Sequence, residues 1–393
     1  MSSPLRICHV ITRMIVGGAQ ENTLYTIRGH LEKGHQVTLL TGPTDGPEGA
    51  LLREFRPDGM ELLEVPHLIR NLSPWADWQA LRELKKIFRE HAFDVVHTHS
   101  SKAGILGRMA ARACGVPFVC HTVHGQAFHP YQASWKNLLY IAAERFAAKR
   151  CDRIYAVAQA MIDQCVKAGV APREKYRVVY SGMDLESFFE AKRDPALRAQ
   201  LGIPEDAPVI GMVARLFELK GHDDLIDAAP ALVQAFPNLR FLIVGDGILR
   251  SHLEERIAQL GLTSHFVFAG LVKPSDIPSY LQQMDILAHL SLREGLPRAC
   301  VQALASGLPV VAYPLDGTPE VVLPHQTGFL PPPKDTPKLL HALLRLLEDA
   351  NLRKSYGEAG RALVRERFSW RRMADILEEE YLQGVAQARA IHP

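Results

Sequence analysis

Few cysteines occur in this chain, and they do not cluster. The six in 393 residues, Cys8, Cys114, Cys120, Cys151, Cys165 and Cys300, form no Cys-x-x-Cys pair. That scatter argues against a structural zinc site and a disulfide framework, and it fits a reducing cytosol. No apolar run approaches the roughly 20 residues that span a bilayer. Any membrane contact is therefore expected to be peripheral, at the inner face of the cell membrane. The first ten residues lack the apolar core of a signal peptide. Blocks of like charge, short-period repeats and low-complexity segments are also missing, and the net charge is only +2. Nothing here favours nucleic acid as a partner.

What remains is an ordinary globular composition, 47% hydrophobic and 22% charged. The length is too great for one usual core, so two domains are expected. Short β-rich runs alternate with helical stretches in both halves. In the first half the runs are 6–11, 36–41, 61–65, 94–97, 118–123, 153–156 and 177–180. A polar connector over 184–208, with three prolines, predicts one short helix. A second series follows at 209–214, 240–244, 265–268, 286–289, 310–312 and 328–330, then a helical tail broken near 368–370. Strand–helix–strand spacing of this kind implies right-handed crossovers and parallel sheets covered on both faces. The expected architecture is α/β, with two doubly wound Rossmann-like domains facing across a cleft. Ligands of such sheets bind beyond the carboxyl ends of the strands, so the cleft is the default site.

Several loops at strand ends carry residues suited to an anionic ligand. Gly17 and Gly18 join the first strand to its helix, as a tight turn or as a place where a ligand approaches backbone. His97, His99, His121, His124 and His129 cluster near two strand ends. No cysteine or carboxylate lies at a standard ligand spacing, so metal is not expected. His124, before Gly125, is the best candidate to bond a substrate hydroxyl; His97, His99 and His121 suit the core. In the second half, Arg215 follows a strand and Lys220 precedes Gly221. Two fixed cations there suit a diphosphate, or are two solvated surface charges. Gly247 lies in a strand-end glycine loop, and DGTPE (316–320) in another. The segment Ser291–Gly307 places Glu294, Gly295, Leu296 and Pro297 before a predicted helix that enters at Pro297. Gln302 lies further in, on what should be the same side. A helix N-terminus offers free N–H groups and partial positive charge. The stretch 128–150 has an apolar stripe (Leu138, Leu139, Ile141, Phe146) beside Lys136, Arg145, Lys149 and Arg150. It reads as a helix packed on the core in preference to one lying on an anionic membrane.

Together these motifs resemble the GT-B-fold retaining glycosyltransferases of the family-4 type, also called group 1, over nearly the whole chain. The resemblance rests on GGAQ, His124-Gly125, SGMD, RLFELKG, VGDG, DGTPE and above all EGLPRACVQALASGLPVVA (294–312). It implies an N-terminal acceptor-side domain (1–181), a nucleotide-sugar domain (182–366), and a C-terminal helix (367–393) crossing back onto the first. It implies sugar transfer from a UDP- or GDP-linked donor to a hydroxyl of a saccharide or lipid-linked acceptor, in polysaccharide or glycolipid assembly. His124, Arg215, Lys220 and Glu294 would be catalytic. Gly17, Gly18, Arg215, Lys220, Gly247, Glu294, Gly295, Leu296, Pro297 and Gln302 would bind the donor. The chain lacks an Asp-x-Asp motif, consistent with no metal or other cofactor and with protein cations holding the diphosphate. Where the family carries a second Glu, this chain has Gln302, which keeps an acceptor oxygen but lacks the charge. That departure is the one support for an alternative, a non-catalytic sugar-nucleotide-binding subunit; a GT-B-like epimerase is a second alternative, against which the Arg215, Lys220 and Glu294 pattern argues.

Overall fold

The computed structural model of the chain describes residues 3–15, 17–44 and 51–391. It separates into two compact units, residues 1–183 with 368–393, and residues 184–367.

The first unit begins β1 (Arg6–Ile11), α1 (Gly18–Glu32), β2 (Gln36–Thr41), α2 (Leu51–Glu54) and β3 (Glu61–Glu64). It continues α3 (Pro74–His91), β4 (Val95–His99), α4 (Ser101–Ala113), β5 (Phe118–Val123) and α5 (Ser134–Ala148). Then come β6 (Arg153–Ala156), α6 (Gln159–Lys167) and β7 (Tyr176–Val178). The strands form one parallel sheet in the order β3-β2-β1-β4-β5-β6-β7. Central strands read as near-continuous apolar runs because helices cover both faces. Helix α3 shows how local sequence sets its own ends. Ser73 accepts a bond from the Ala76 N–H, Pro74 opens the first turn, and Ala92 closes it with φ 45°.

The second unit opens with α7 (Glu186–Glu190) and α8 (Pro195–Gln200), so the connector holds two short helices where one was expected. Asp194 caps the second, its side chain accepting from Ala196 N–H, with Pro195 at the first helical position. The unit then runs β8 (Val209–Val213), α9 (His222–Ala235), β9 (Arg240–Val244), α10 (Arg250–Gln259), β10 (Phe266–Gly270), α11 (Ile277–Leu281) and β11 (Ile286–His289). It closes with α12 (Arg298–Ala305), β12 (Val310–Ala312), α13 (Thr318–Val321), β13 (Gly328–Phe329), α14 (Thr336–Glu348) and α15 (Ala350–Arg367). Its strands pair in parallel as β10-β9-β8-β11-β12-β13. The core joins Ile210, Phe241 and Ile286 of the sheet to Leu225, Leu232, Leu343 and Leu346 of the covering helices.

The final helix, α16 (Trp370–Ile391), belongs to the first unit, where it packs on α1. A Cβ at Gly29 of α1 would lie 2.3 Å from Ala374 Cβ of α16. The bare glycine is what lets the two helices touch. Met373, Leu377 and Tyr381 of α16 complete the core of the first unit.

Candidate active site

In the second unit, loops after β8, β9, β11 and β12 are stitched together at the carboxyl ends of their strands. Leu216 N–H donates to Asp246 O (3.0 Å), Leu292 N–H to Leu219 O (2.8 Å), and Gly317 N–H to Gly295 O (3.2 Å). Two glycines make this possible. A Cβ at Gly221 (φ 79°) would lie 2.1 Å from Leu290 O, and one at Gly245 (φ 136°) 2.0 Å from Ala214 O. Both sit in backbone conformations that L-residues avoid. Gly247 packs under the same constraint, its Cβ position 2.5 Å from Leu216 O.

These loops deliver Lys220 and Glu294 to one point. Lys220 Nζ lies 2.6 Å from Glu294 Oε1 and 3.4 Å from Ser291 Oγ. His289, at the end of β11, places Nε2 3.3 Å from the same carboxylate oxygen. At that separation the ring faces the carboxylate without the alignment of a hydrogen bond. The Glu294 N–H donates to Asp316 Oδ2 at 2.8 Å, so the loop after β12 holds Glu294 from behind. Burial alone would raise the Glu294 carboxyl; His289 and Lys220 outweigh it and hold the group at about 2. Glu294 is therefore ionised at neutral pH, and Lys220 is its counter-ion. Sequence reading missed His289; its only signal was its place at a strand end five residues before Glu294.

Arg215 is exposed, its guanidinium 5.1 Å from the centre of the Phe217 ring. Among the described residues it forms no ion pair, and no hydrogen bond joins it to Lys220 or Glu294. Leu296 and Pro297 are buried and Gly295 is half-buried. Helix α12 starts at Arg298, not Pro297, and no side chain caps its N-terminus. Gln302 lies in α12, half-buried, with no side-chain hydrogen bond among the described residues. Glu294 is engaged in the preceding loop, and among the described residues no hydrogen bond joins it to Gln302.

The first unit carries the other sequence candidates. Gly17 has φ 176°, extended backbone open to any residue, and a Cβ there would meet only the movable Gln20 side chain, at 2.8 Å. Conformation therefore does not require this glycine. Gly18 is the first residue of α1, whose N-terminus also lacks a side-chain cap. His97, His99 and His121 are buried, while His124 is half-buried just past β5. His97 bonds Tyr381 OH and, at 2.7 Å, Thr122 Oγ1; His121 bonds Thr98 Oγ1 at 2.9 Å. His124 lines a cavity of about 230 Å³ with Arg108, Gln126, Glu144 and Tyr176 among its walls. Arg108 is fully buried, pairs with Glu144 at 2.8 Å, and leaves Nη1 unpartnered.

Helix α5 overturns the expectation that its apolar stripe packs on the core. Trp135 is 65% exposed, Leu138 68%, Leu139 59% and Phe146 43%; only Ala147 and Ala148 are buried. Helix α4 meets α5, and the buried Arg108 of α4 pairs with Glu144 of α5. Among the described residues no helix is long and apolar enough to cross a membrane.

Comparison with known proteins agrees with the two-unit α/β fold. The model of the glycosyl transferases group 1 matches residues 193–363, and that of Glycosyltransferase Family 4 matches residues 16–187. The chain is similar to the UDP-Gal:alpha-D-GlcNAc-diphosphoundecaprenol alpha-1,3-galactosyltransferase of Escherichia coli, with 32% identity over 88% of this chain and 89% of that one. It is also similar to the 2-deoxystreptamine glucosyltransferase of Streptomyces kanamyceticus, with 29% identity over 79% of this chain and 82% of that one. In fold it matches Anabaena HepE, solved in complex with UDP, with TM-score 0.81 and 24% identity over 96% of this chain and 100% of that one.

Proposed function

The chain belongs to the family-4 glycosyltransferases of the GT-B class, and from that membership we propose that it transfers a sugar, with retention, from a UDP-linked donor to a hydroxyl acceptor. The acceptor is a saccharide or lipid-linked saccharide of cell-surface polysaccharide or glycolipid assembly. The observation that carries this reading is the Lys220–Glu294 pair at the carboxyl ends of β8 and β11. Its support from relatives is the E. coli enzyme, whose name gives a UDP-sugar donor and a diphosphoundecaprenol-linked acceptor.

In this reading the leaving UDP gathers negative charge as the glycosidic bond breaks. Arg215 meets that charge bidentately, Lys220 adds a point charge, and the uncapped terminus of α12 adds N–H donors. Glu294 holds Lys220 in place and accepts from donor-sugar hydroxyls. Gln302, with its amide unengaged, bonds the ribose. The donor phosphate takes the acceptor proton on the same face, so no protein nucleophile is needed. Protein cations stand where a metal would, and the enzyme works without one. The acceptor sugar enters the first unit near His124, whose cavity offers Arg108 Nη1 and the Tyr176 hydroxyl as unpartnered polar atoms. Exposed Trp135, Leu138 and Leu139, beside Lys136, Lys149 and Arg150, rest on an anionic bilayer that presents a lipid-linked acceptor.

The test is transfer in EDTA from UDP-galactose, UDP-glucose, UDP-N-acetylglucosamine and GDP-mannose to a polyprenyl-diphosphate-linked N-acetylglucosamine. Release of UDP with formation of an α-linked product is expected from one UDP-sugar. A β-linked product would end the retaining assignment, and loss of turnover in EDTA restored by a divalent ion would end metal independence.

A further inference from the structure

The two oxygens of the Glu294 carboxylate are treated unequally. Lys220 Nζ lies 2.6 Å from Oε1, and His289 Nε2 lies 3.3 Å from the same oxygen. The other oxygen, Oε2, makes no hydrogen bond among the described residues, and the side chain keeps 16% of its surface exposed. One oxygen is held twice, and its twin is left over.

Backbone fixes both holders. His289 is the last residue of β11, buried, paired with Ala312 of β12, and its carbonyl accepts from Tyr313 N–H at 3.3 Å. Lys220 stands between Leu219 at φ 66° and Gly221 at φ 79°. A leucine in the left-handed region is strained and persists only where its surroundings over-determine it. Here Leu219 O accepts from Leu292 N–H at 2.8 Å and from Ser291 Oγ–H at 3.3 Å. The loop after β11, which carries Glu294, therefore also fixes the residue that aims Lys220.

The two holders differ in kind. Lys220 is an ammonium on a flexible stem with three N–H groups. One faces Glu294 and one faces Ser291 Oγ, at 3.4 Å, which leaves a third for an anion. His289 is a rigid ring at a strand end, and its Nε2 is buried without an aligned partner. A bare lone pair there would face the charge of the carboxylate, so Nε2 carries a hydrogen in the neutral ring as in the cation. The last torsion of a glutamate is broad, so a turn of the carboxylate aligns Oε1 with that N–H. His289 can then hold Glu294 while Lys220 answers to a phosphate. An ionised carboxylate only accepts, so Oε2 repels a phosphate oxygen and takes a hydroxyl.

We propose that His289 is a positioning residue of the transfer reaction: with Lys220 it holds Oε1 of Glu294, which leaves Oε2 to accept from a hydroxyl of the donor sugar. The sugar half of this statement rests on the nucleotide-sugar reading of the site; the hold of His289 on Glu294 does not.

A double-mutant cycle on the full chain tests the hold without substrate. His289→Leu should lower the urea midpoint more in the wild-type background than in Glu294→Ala. Equal shifts in the two backgrounds overturn the proposal. Transfer tests the sugar half, with whichever of UDP-galactose, UDP-glucose and UDP-N-acetylglucosamine the wild type uses. His289→Leu should lower kcat/KM about tenfold, the size of one hydrogen bond to a charged group. Its affinity for UDP, by calorimetry, should stay within about twofold of wild type, because UDP carries no sugar for Oε2 to hold. His289→Gln, whose amide stands in for Nε2–H, should restore most of kcat/KM. Unchanged transfer in His289→Leu overturns the proposal, as does a matching loss of UDP affinity or an equal loss of transfer in the Leu and Gln variants. If His289→Leu fails to fold, His289→Ala takes its place in each measurement. Coupling of His289 to Glu294 in a wild type that turns over no UDP-sugar would keep the hold and overturn the sugar half.

Discussion

Lys220 and Glu294 are 74 residues apart in sequence and 2.6 Å apart in the fold. The pair is partly buried, with side chains 24% and 16% exposed. Removing one partner leaves the other charge desolvated and uncompensated, which is the costly way to break such a pair. Lys220→Ala should lower kcat by ~10²–10³, the usual loss for one electrostatic donor. Circular dichroism should show the fold retained, and near-normal turnover would remove Lys220 from the diphosphate. Gln302 is a separate case, because its amide is unengaged. Gln302→Glu should tighten UDP binding about fivefold by calorimetry, since a charge-assisted bond gains roughly 1 kcal/mol over a neutral one. Unchanged affinity would place Gln302 away from the ribose. Both residues were legible in sequence as site candidates. Their partners were not, because an ion pair between loops of two strands depends on which strands become neighbours. His289 illustrates this. In sequence it only closes a predicted strand; pairing of β8 with β11 brings it and Lys220 to the same carboxylate.

Among the elements, α5 departs furthest from its sequence pattern. An apolar stripe at helical spacing usually faces a core, yet Trp135, Leu138 and Leu139 face outward. Burial is decided by what lies opposite a helix, and in α5 only Ala147 and Ala148 are buried. Wild-type protein should co-sediment with vesicles containing anionic lipid and less with neutral ones. Leu138→Glu with Leu139→Glu should lower that binding at least tenfold, because each leucine withdrawn from the interface forgoes about 1.5–3 kcal/mol of apolar burial. Turnover of a water-soluble acceptor should be unaffected. Equal binding by both proteins would mean that this face does not touch lipid. Strand and helix order in both halves was readable from alternation and length. The short helix α2 was not, nor was the second of the two in the connector, since one or two turns give too few residues to show a period.

For the whole molecule, buried histidines set the response to acid. Burial lowers five histidines of the first unit, His9, His30, His97, His99 and His121, and one of the second, His222, which falls to about 4. A ring whose native pKa is depressed binds its proton more readily when unfolded. Its contribution to stability is therefore complete above the unfolded value near 6.5 and is lost as pH falls below it. At pH 5.5 each such ring costs about 1.4 kcal/mol. Glu294, in the second unit, loses its contribution only as pH falls from the ordinary carboxylate range toward 2. All four tryptophans (Trp75, Trp78, Trp135 and Trp370) belong to the first unit. Tryptophan emission should therefore shift at a higher pH than the last half of the far-ultraviolet circular dichroism signal. Coincident acid transitions would show that the histidines do not govern this step.

Much was determined by the sequence alone. Alternating apolar runs and helical stretches specify two parallel α/β sheets, because parallel strands need buried faces and crossover helices. Strand-end glycines and charges mark where a ligand would bind, and the long segment from Glu294 to Ala312 points to the family. Tertiary structure alone decided the rest. Strand order places His289 beside Lys220 and Glu294, and packing leaves α5 bare. Each of these depends on contacts between residues distant in the chain, and local preference carries no record of them.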